Sequence, residues 1–114
     1  MPSSRLPTAG ISNELCARFH LEQVEVARGW WGRACGLLGR RELPAGHGLL
    51  LQPCSAIHTL GMRFALDVVF LDAQGRVLRQ YHQVPPHRLL IRGGPGAVAA
   101  LELPAGTLRQ SPPR

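Results

Sequence analysis

The stretch from Phe64 to Val84 constrains the fold more than any other part of the chain. Phe64 to Leu71 carries Val68, Val69, Phe70 and Leu71 in a row, Asp72-Ala73-Gln74-Gly75 comes next, and Arg76 to Val84 resumes with Val77, Arg79, Tyr81 and Gln83 at one parity. Branched and aromatic side chains of this kind fit a pleated, half-buried surface. Aspartate at the first turn position and glycine at the last suit a type I turn closed by a left-handed residue. The pattern predicts a β-hairpin, and the rest of the chain is read around it.

The flanking segments are shorter. Phe19 to Ala27 alternates imperfectly, with His20, Glu22, Val24 and Val26 at one parity, and its valines favour a strand. Gly48 to Gln52, Leu89 to Ile91 and Ala97 to Leu103 read as further short strands bounded by proline and glycine. Trp30 to Arg41 reads as a helix, because Trp31, Cys35 and Leu38 form one apolar stripe that Trp30, Ala34 and Leu37 widen. Gly32, Gly36 and Gly39 weaken it by about 1 kcal/mol each relative to alanine. The expected fold is α+β and mainly antiparallel. It is a small barrel-like sheet of about five or six short strands with one helix packed on it. Residues 1–17 read as a loose N-terminal tail, 18–106 as a single globular domain and 107–114 as a frayed C-terminal tail.

Length and composition limit what such a domain does. With 114 residues, 45% apolar and 18% charged, the chain is one globular domain. The net charge is +6 and every basic residue is an arginine. Surplus positive charge favours anionic partners. The arginines are scattered, however, with Arg40-Arg41 the only adjacent pair, and a scatter without a strip argues against nucleic acid. Cys16, Cys35 and Cys54 are too few, and odd in number, for a disulfide framework. They fit a reducing compartment. No span approaches the ~18 apolar residues of a membrane helix, and Met1 to Gly10 holds no apolar signal region. A cytoplasmic location is the expectation.

Two groups of residues carry possible chemistry. Cys54, His58 and Met62 recur at every fourth position. Thiolate, imidazole and thioether are soft metal ligands, but a closed zinc site needs about four, so Cys35 or a distant histidine would have to complete it. Cys54 and His58 could equally serve as nucleophile and base if brought within hydrogen-bond reach. The simpler reading, which we favour, makes Cys54 and Met62 core filler and His58 a satisfied polar group. Asp67 is the second focus: it lies among apolar residues, on the parity of Ala65 and Val69. A buried carboxylate needs partners, for which Arg63, His58 or loop N–H groups are candidates. It either lines a pocket or fixes a loop by accepting backbone N–H groups. Glu102, between Leu101 and Leu103, is placed by alternation on the solvent face.

Four segments occur together in an order that resembles the domain of unknown function 192 family. They are Gly36-Leu37-Leu38-Gly39-Arg40, Gly48-Leu49-Leu50-Leu51, Leu66 to Asp72 with Gly75-Arg76-Val77, and Leu101-Glu102-Leu103-Pro104-Ala105-Gly106. The resemblance spans Val24 to Gly106 and implies a compact, mainly antiparallel β fold with a helix packed on it. It implies no reaction. Where many members carry Trp-Met-Lys, this chain has Ile57-His58-Thr59 and a nearby Met62. Where members continue into a further strand, this chain has Arg109 to Arg114, and an open sheet edge is the expectation.

Taken together, the residues predict a non-catalytic binding or accessory module. Its pocket is bounded by the Cys54–Met62 loop and Asp67, with Cys54, His58, Thr59, Met62 and Asp67 as candidate binding residues for an unidentified ligand or protein partner. The alternative is a metal-binding or Cys/His-dependent enzyme using Cys54 and His58. No cofactor is indicated.

Overall fold

The computed structural model describes residues 10–28, 43–60 and 62–110. The helix expected over Trp30 to Arg41, with Cys35, lies outside the described residues. Those described form α1 (Ile11–Phe19), β1 (Gln23–Arg28), β2 (His47–Gln52), β3 (Ala56–Ile57), β4 (Leu66–Leu71), β5 (Val77–Val84), β6 (Ile91–Arg92), β7 (Ala99–Pro104) and a short α2 (Thr107–Gln110).

Five strands make one sheet in the order β1-β2-β7-β4-β5, and β3 pairs with β6 in a separate two-stranded ribbon. Among the described residues all pairings are antiparallel except β1 with β2, which run parallel. The fold is mainly antiparallel β with little helix, as expected, but the barrel-like sheet is corrected. β1 and β5 stand at opposite ends of the order and do not pair, so the sheet is open and mixed. Closure depends on which strands become neighbours, and short strands alone do not specify that.

Two apolar layers fill the two faces. On the first, Ile11, Leu15 and Phe19 of α1 pack on Leu50, Val69, Leu71, Ala99, Leu101 and Leu103. On the second, Leu49, Leu51, Leu66, Val68, Phe70 and Ala100 meet Leu43, Cys54, Ile57, Met62 and Ile91. The inner strands β2, β7 and β4 are therefore covered on both sides, which is why they read as continuous apolar runs rather than alternating ones. Burying such side chains contributes roughly 1.5–3 kcal/mol each.

Residues 11–17, expected in a loose tail, belong to α1. Ile11, Leu15 and Phe19 recur at helical spacing and bury one stripe of α1, which ends at His20 in the left-handed conformation. Phe19 thus closes a helix rather than opening a strand, and β1 begins at Gln23. At the other end, residues 107–110, expected to fray, form α2 with Leu108 buried.

The hairpin forms as expected. Asp72 Oδ1 accepts N–H groups of Gln74 and Arg76, both at 2.9 Å, and Oδ2 accepts Arg76 Nε–H at 2.8 Å. Gly75 has φ +80°, the left-handed value that the turn requires. Burial disfavours ionisation of Asp72, but these hydrogen bonds and the Arg76 charge outweigh it and hold the carboxyl below its ordinary value. The two strands are not in simple register. Phe70 faces Arg79 and Leu71 faces Val77, leaving Leu78 extra; Val68 faces Tyr81 and Leu66 faces Val84, leaving His82 and Gln83 opposite Asp67. These bulges break the single parity expected for Val77, Arg79, Tyr81 and Gln83.

Candidate functional site

Asp67 is fully buried and satisfied by backbone alone. Oδ1 accepts the N–H of Gln83 at 2.8 Å; Oδ2 accepts those of Gly106 at 3.1 Å and Leu108 at 2.9 Å. The bulge turns the Gln83 N–H, at φ +51°, out of the regular ladder, and the carboxylate takes it instead. One side chain thereby fastens β4 to the end of β5 and to the β7–α2 turn. Of the partners considered for it, loop N–H groups are the ones found, not Arg63 or His58.

Thr59, also fully buried, does the same for two loops. Its hydroxyl donates to Pro85 O at 2.8 Å and accepts the Arg88 N–H at 2.8 Å. Its own N–H donates to Arg88 O, and its carbonyl accepts the N–H groups of Met62 and His87. The β3–β4 and β5–β6 connections are thus clasped together.

The other three candidates part company. Cys54 and Met62 lie in the second-face core, and the Cys54 thiol donates to Ala56 O at 3.2 Å. His58 is exposed, and its Nδ1 accepts the Leu60 N–H at 3.2 Å. Asp67 sits between Leu66 and Val68, which belong to the second-face core, so it points to the opposite face from Cys54 and Met62. The five residues do not converge on one hollow. Among the described residues, no three of the types His, Cys, Asp and Glu are grouped to hold a metal ion.

Two cavities border the sheet edge instead. One of about 330 Å³ is lined by Asp67, His82, Gln83, Gly106 and Arg109. The other, about 320 Å³, is lined by residues 81–84 of β5, by Pro85, and by Arg88, Leu90, Ile91 and Arg92. Both include His82 and Gln83. Asp67 fixes the backbone of the first, and Thr59 holds Pro85 and Arg88 at the rim of the second. Tyr81 Oη donates to Arg92 O at 2.7 Å, closing one end of the second, while its ring stands edge-on to Phe70 at 6.0 Å.

His82, Gln83, Arg88, Arg92 and Arg109 were not singled out by the sequence. One signal was present: residues 73–101 contain Arg76, Arg79, Arg88, Arg92, His82 and His87 and no acidic residue. The solvent-face placement of Glu102 is corrected. It is 4% exposed, on the second face between Leu49 of β2 and Val68 of β4. Burial pushes its carboxyl up to about 7. Alternation predicts solvent only when one face of a strand is wet, and β7 is the middle strand of five.

Among the described residues, no helix is long and apolar enough to cross a membrane. The family model of domain of unknown function 192, described as uncharacterised ACR, matches residues 13–112. Among solved structures, the chain is similar to a protein of unknown function from Novosphingobium aromaticivorans, with TM-score 0.71 and 22% identity, covering 77% of this chain and 66% of that one. It is also similar to a Sinorhizobium meliloti protein described as a candidate transcription regulator, with TM-score 0.69 and 26% identity, covering 77% and 72%. At 22% identity the first likeness concerns the fold. No curated protein matches.

Proposed function

Starting from a chain that belongs to the domain of unknown function 192 family, whose description assigns no activity, we propose a non-catalytic binding or accessory module acting in the cytoplasm. Its site is the pair of cavities along β5, near Asp67 and the Cys54–Met62 loop. The observation that carries this reading is the shared His82–Gln83 wall, held from one side by Asp67 and from the other by the Thr59 clasp. Sites for small ligands are concave, preformed and lined by apolar groups with a few placed polar ones. Here Val84, Leu90 and Ile91 supply the apolar wall, and Arg88, Arg92 and Arg109 supply the cations. A ligand carrying a carboxylate or phosphate and a small apolar part suits that lining.

Of the five residues expected to bind, Asp67 lines the first cavity and Thr59 braces Pro85 and Arg88 at the second, while Cys54, His58 and Met62 line neither. No observation favours the Cys54–His58 enzyme or metal alternative. The Sinorhizobium protein's description raises DNA as a partner. Tyr81 is poorly placed for base stacking, because its ring packs on Phe70 and its hydroxyl is bound.

The test is a backbone-amide NMR titration with small aliphatic carboxylates and phosphate esters. The expected result is saturable shifts confined to residues 82–84, 88–92 and 106–109. Uniform or absent shifts would defeat the reading.

A further inference from the structure

The four large apolar side chains most exposed among the described residues are Leu60, Leu78, Leu89 and Leu90. Three of them share one place. Leu89 (76% exposed) and Leu90 (55%) are adjacent on the β5–β6 connection, and Leu60 (40%) is on the β3–β4 connection that Thr59 clasps to it. The clasp uses the backbone of His87 and Arg88 on one side and of Thr59 on the other, so the two loop tips form a single preformed body. Exposed cations flank these leucines along the chain: Arg63 follows Leu60, and Arg88 and Arg92 bracket Leu89 and Leu90. Among the described residues, neither Arg88 nor Arg92 has a carboxylate partner, and no acid occurs in residues 73–101.

We propose that this tip docks on an anionic lipid bilayer, the leucines entering the headgroup boundary while the arginines meet the lipid phosphates and carboxylates. The tip shares Arg88, Leu90 and Arg92 with the rim of the second cavity, but its bilayer contact, led by Leu89 and Leu60, does not depend on what that cavity holds. Two observations favour a bilayer over a protein or nucleic acid. Leu89 and Leu60 are exposed and take no part in the lining of the second cavity, and outward apolar side chains suit a planar apolar phase better than they suit a peptide ligand. The tip region also combines apolar protrusion with unpaired positive charge, the two terms that together give reversible peripheral binding. Nucleic acid would use the arginines but has no use for three exposed leucines.

The experiment is sedimentation of the full chain with phosphatidylcholine vesicles, with and without phosphatidylserine, at low and high salt. Binding is expected only with phosphatidylserine, and it should weaken as salt rises. The double substitutions Leu89→Asp/Leu90→Asp and Arg88→Glu/Arg92→Glu should each weaken it roughly tenfold or more. These side chains are exposed, and circular dichroism and thermal melting should match the parent. The milder Leu89→Ala/Leu90→Ala pair should weaken binding in the same direction. No binding at low salt overturns the proposal. So does binding that the arginine pair abolishes and both leucine pairs leave intact, because that is simple surface electrostatics. Salt-sensitive binding of duplex DNA by a chain that ignores the vesicles also overturns it, in favour of a nucleic-acid surface.

Discussion

Asp67 and Glu102 are buried acids on neighbouring strands, one register step apart, facing opposite sides of the same sheet. Asp67 accepts three backbone N–H groups. Glu102 has Leu49 and Val68 beside it, and burial alone moves its carboxyl up to about 7. Equal burial thus has opposite meanings. Where the backbone has been bent to aim donors at a carboxyl group, its oxygens fasten the fold; where none of that bending is present, as at Glu102, burial makes the charge oppose folding.

The sharpest way to break this contrast is Asp67→Asn. An amide has one acceptor oxygen, so it serves either Gln83 or the Gly106–Leu108 pair, and its NH₂ then meets an N–H donor. The expected loss is about 3–5 kcal/mol, read by urea unfolding. A loss below about 1 kcal/mol would mean that Asp67 is not the fastening it looks to be.

Glu102→Gln is next. In the folded chain Glu102 keeps its proton up to about 7, whereas 4.5 is its ordinary value. The associated stability is whole below the ordinary value and is lost as pH rises through the folded one. The parent should therefore weaken by about 2–3 kcal/mol between roughly pH 4.5 and pH 8, and Glu102→Gln should remove most of that slope. Parallel pH curves for parent and variant would refute the burial effect. Asp72 runs the other way: its lowered carboxyl contributes stability above the ordinary value, and that contribution is lost on acidification.

Thr59→Val tests a neutral counterpart of Asp67, fully buried and fully bonded. Keeping the shape while orphaning Pro85 O and the Arg88 N–H should cost about 1–3 kcal/mol. Amide hydrogen exchange at residues 87 and 88 should rise with it. His58→Ala is the smallest: an exposed ring with one hydrogen bond to a nearby loop residue should shift stability by less than about 0.5 kcal/mol.

These cases also show what was legible in the sequence. The hairpin was, because the Asp72–Gly75 turn is specified by the residues that make it. The stripe of α1 was present at Ile11, Leu15 and Phe19 but stood in a segment otherwise polar, where period is a weak signal. The sheet order was not legible, since parallel pairing of β1 with β2 is decided by long-range packing. For the site, the regular spacing of Cys54, His58 and Met62 pointed to a cluster. That spacing holds side chains together only on a continuous helix, and this segment is a strand and loops. Of the segment, Thr59 proved the most embedded member. His82 and Gln83 were hidden because an extra residue in β5 shifts parity, and no composition rule marks where that shift occurs. Glu102 was misplaced for a related reason: alternation assumes water on one side.

The same irregularities in β5 have a consequence for how the molecule behaves in a crowd. An outermost strand with evenly spaced N–H and C=O groups is a template on which a second chain can extend the ladder into an aggregate. In β5 the repeat is interrupted at Leu78 and again at His82–Gln83, and the N–H of Gln83 is already spent on Asp67. A stranger arriving at this border finds no uninterrupted row to copy, so the β5 side of the open sheet is guarded against edge-to-edge growth without having to close.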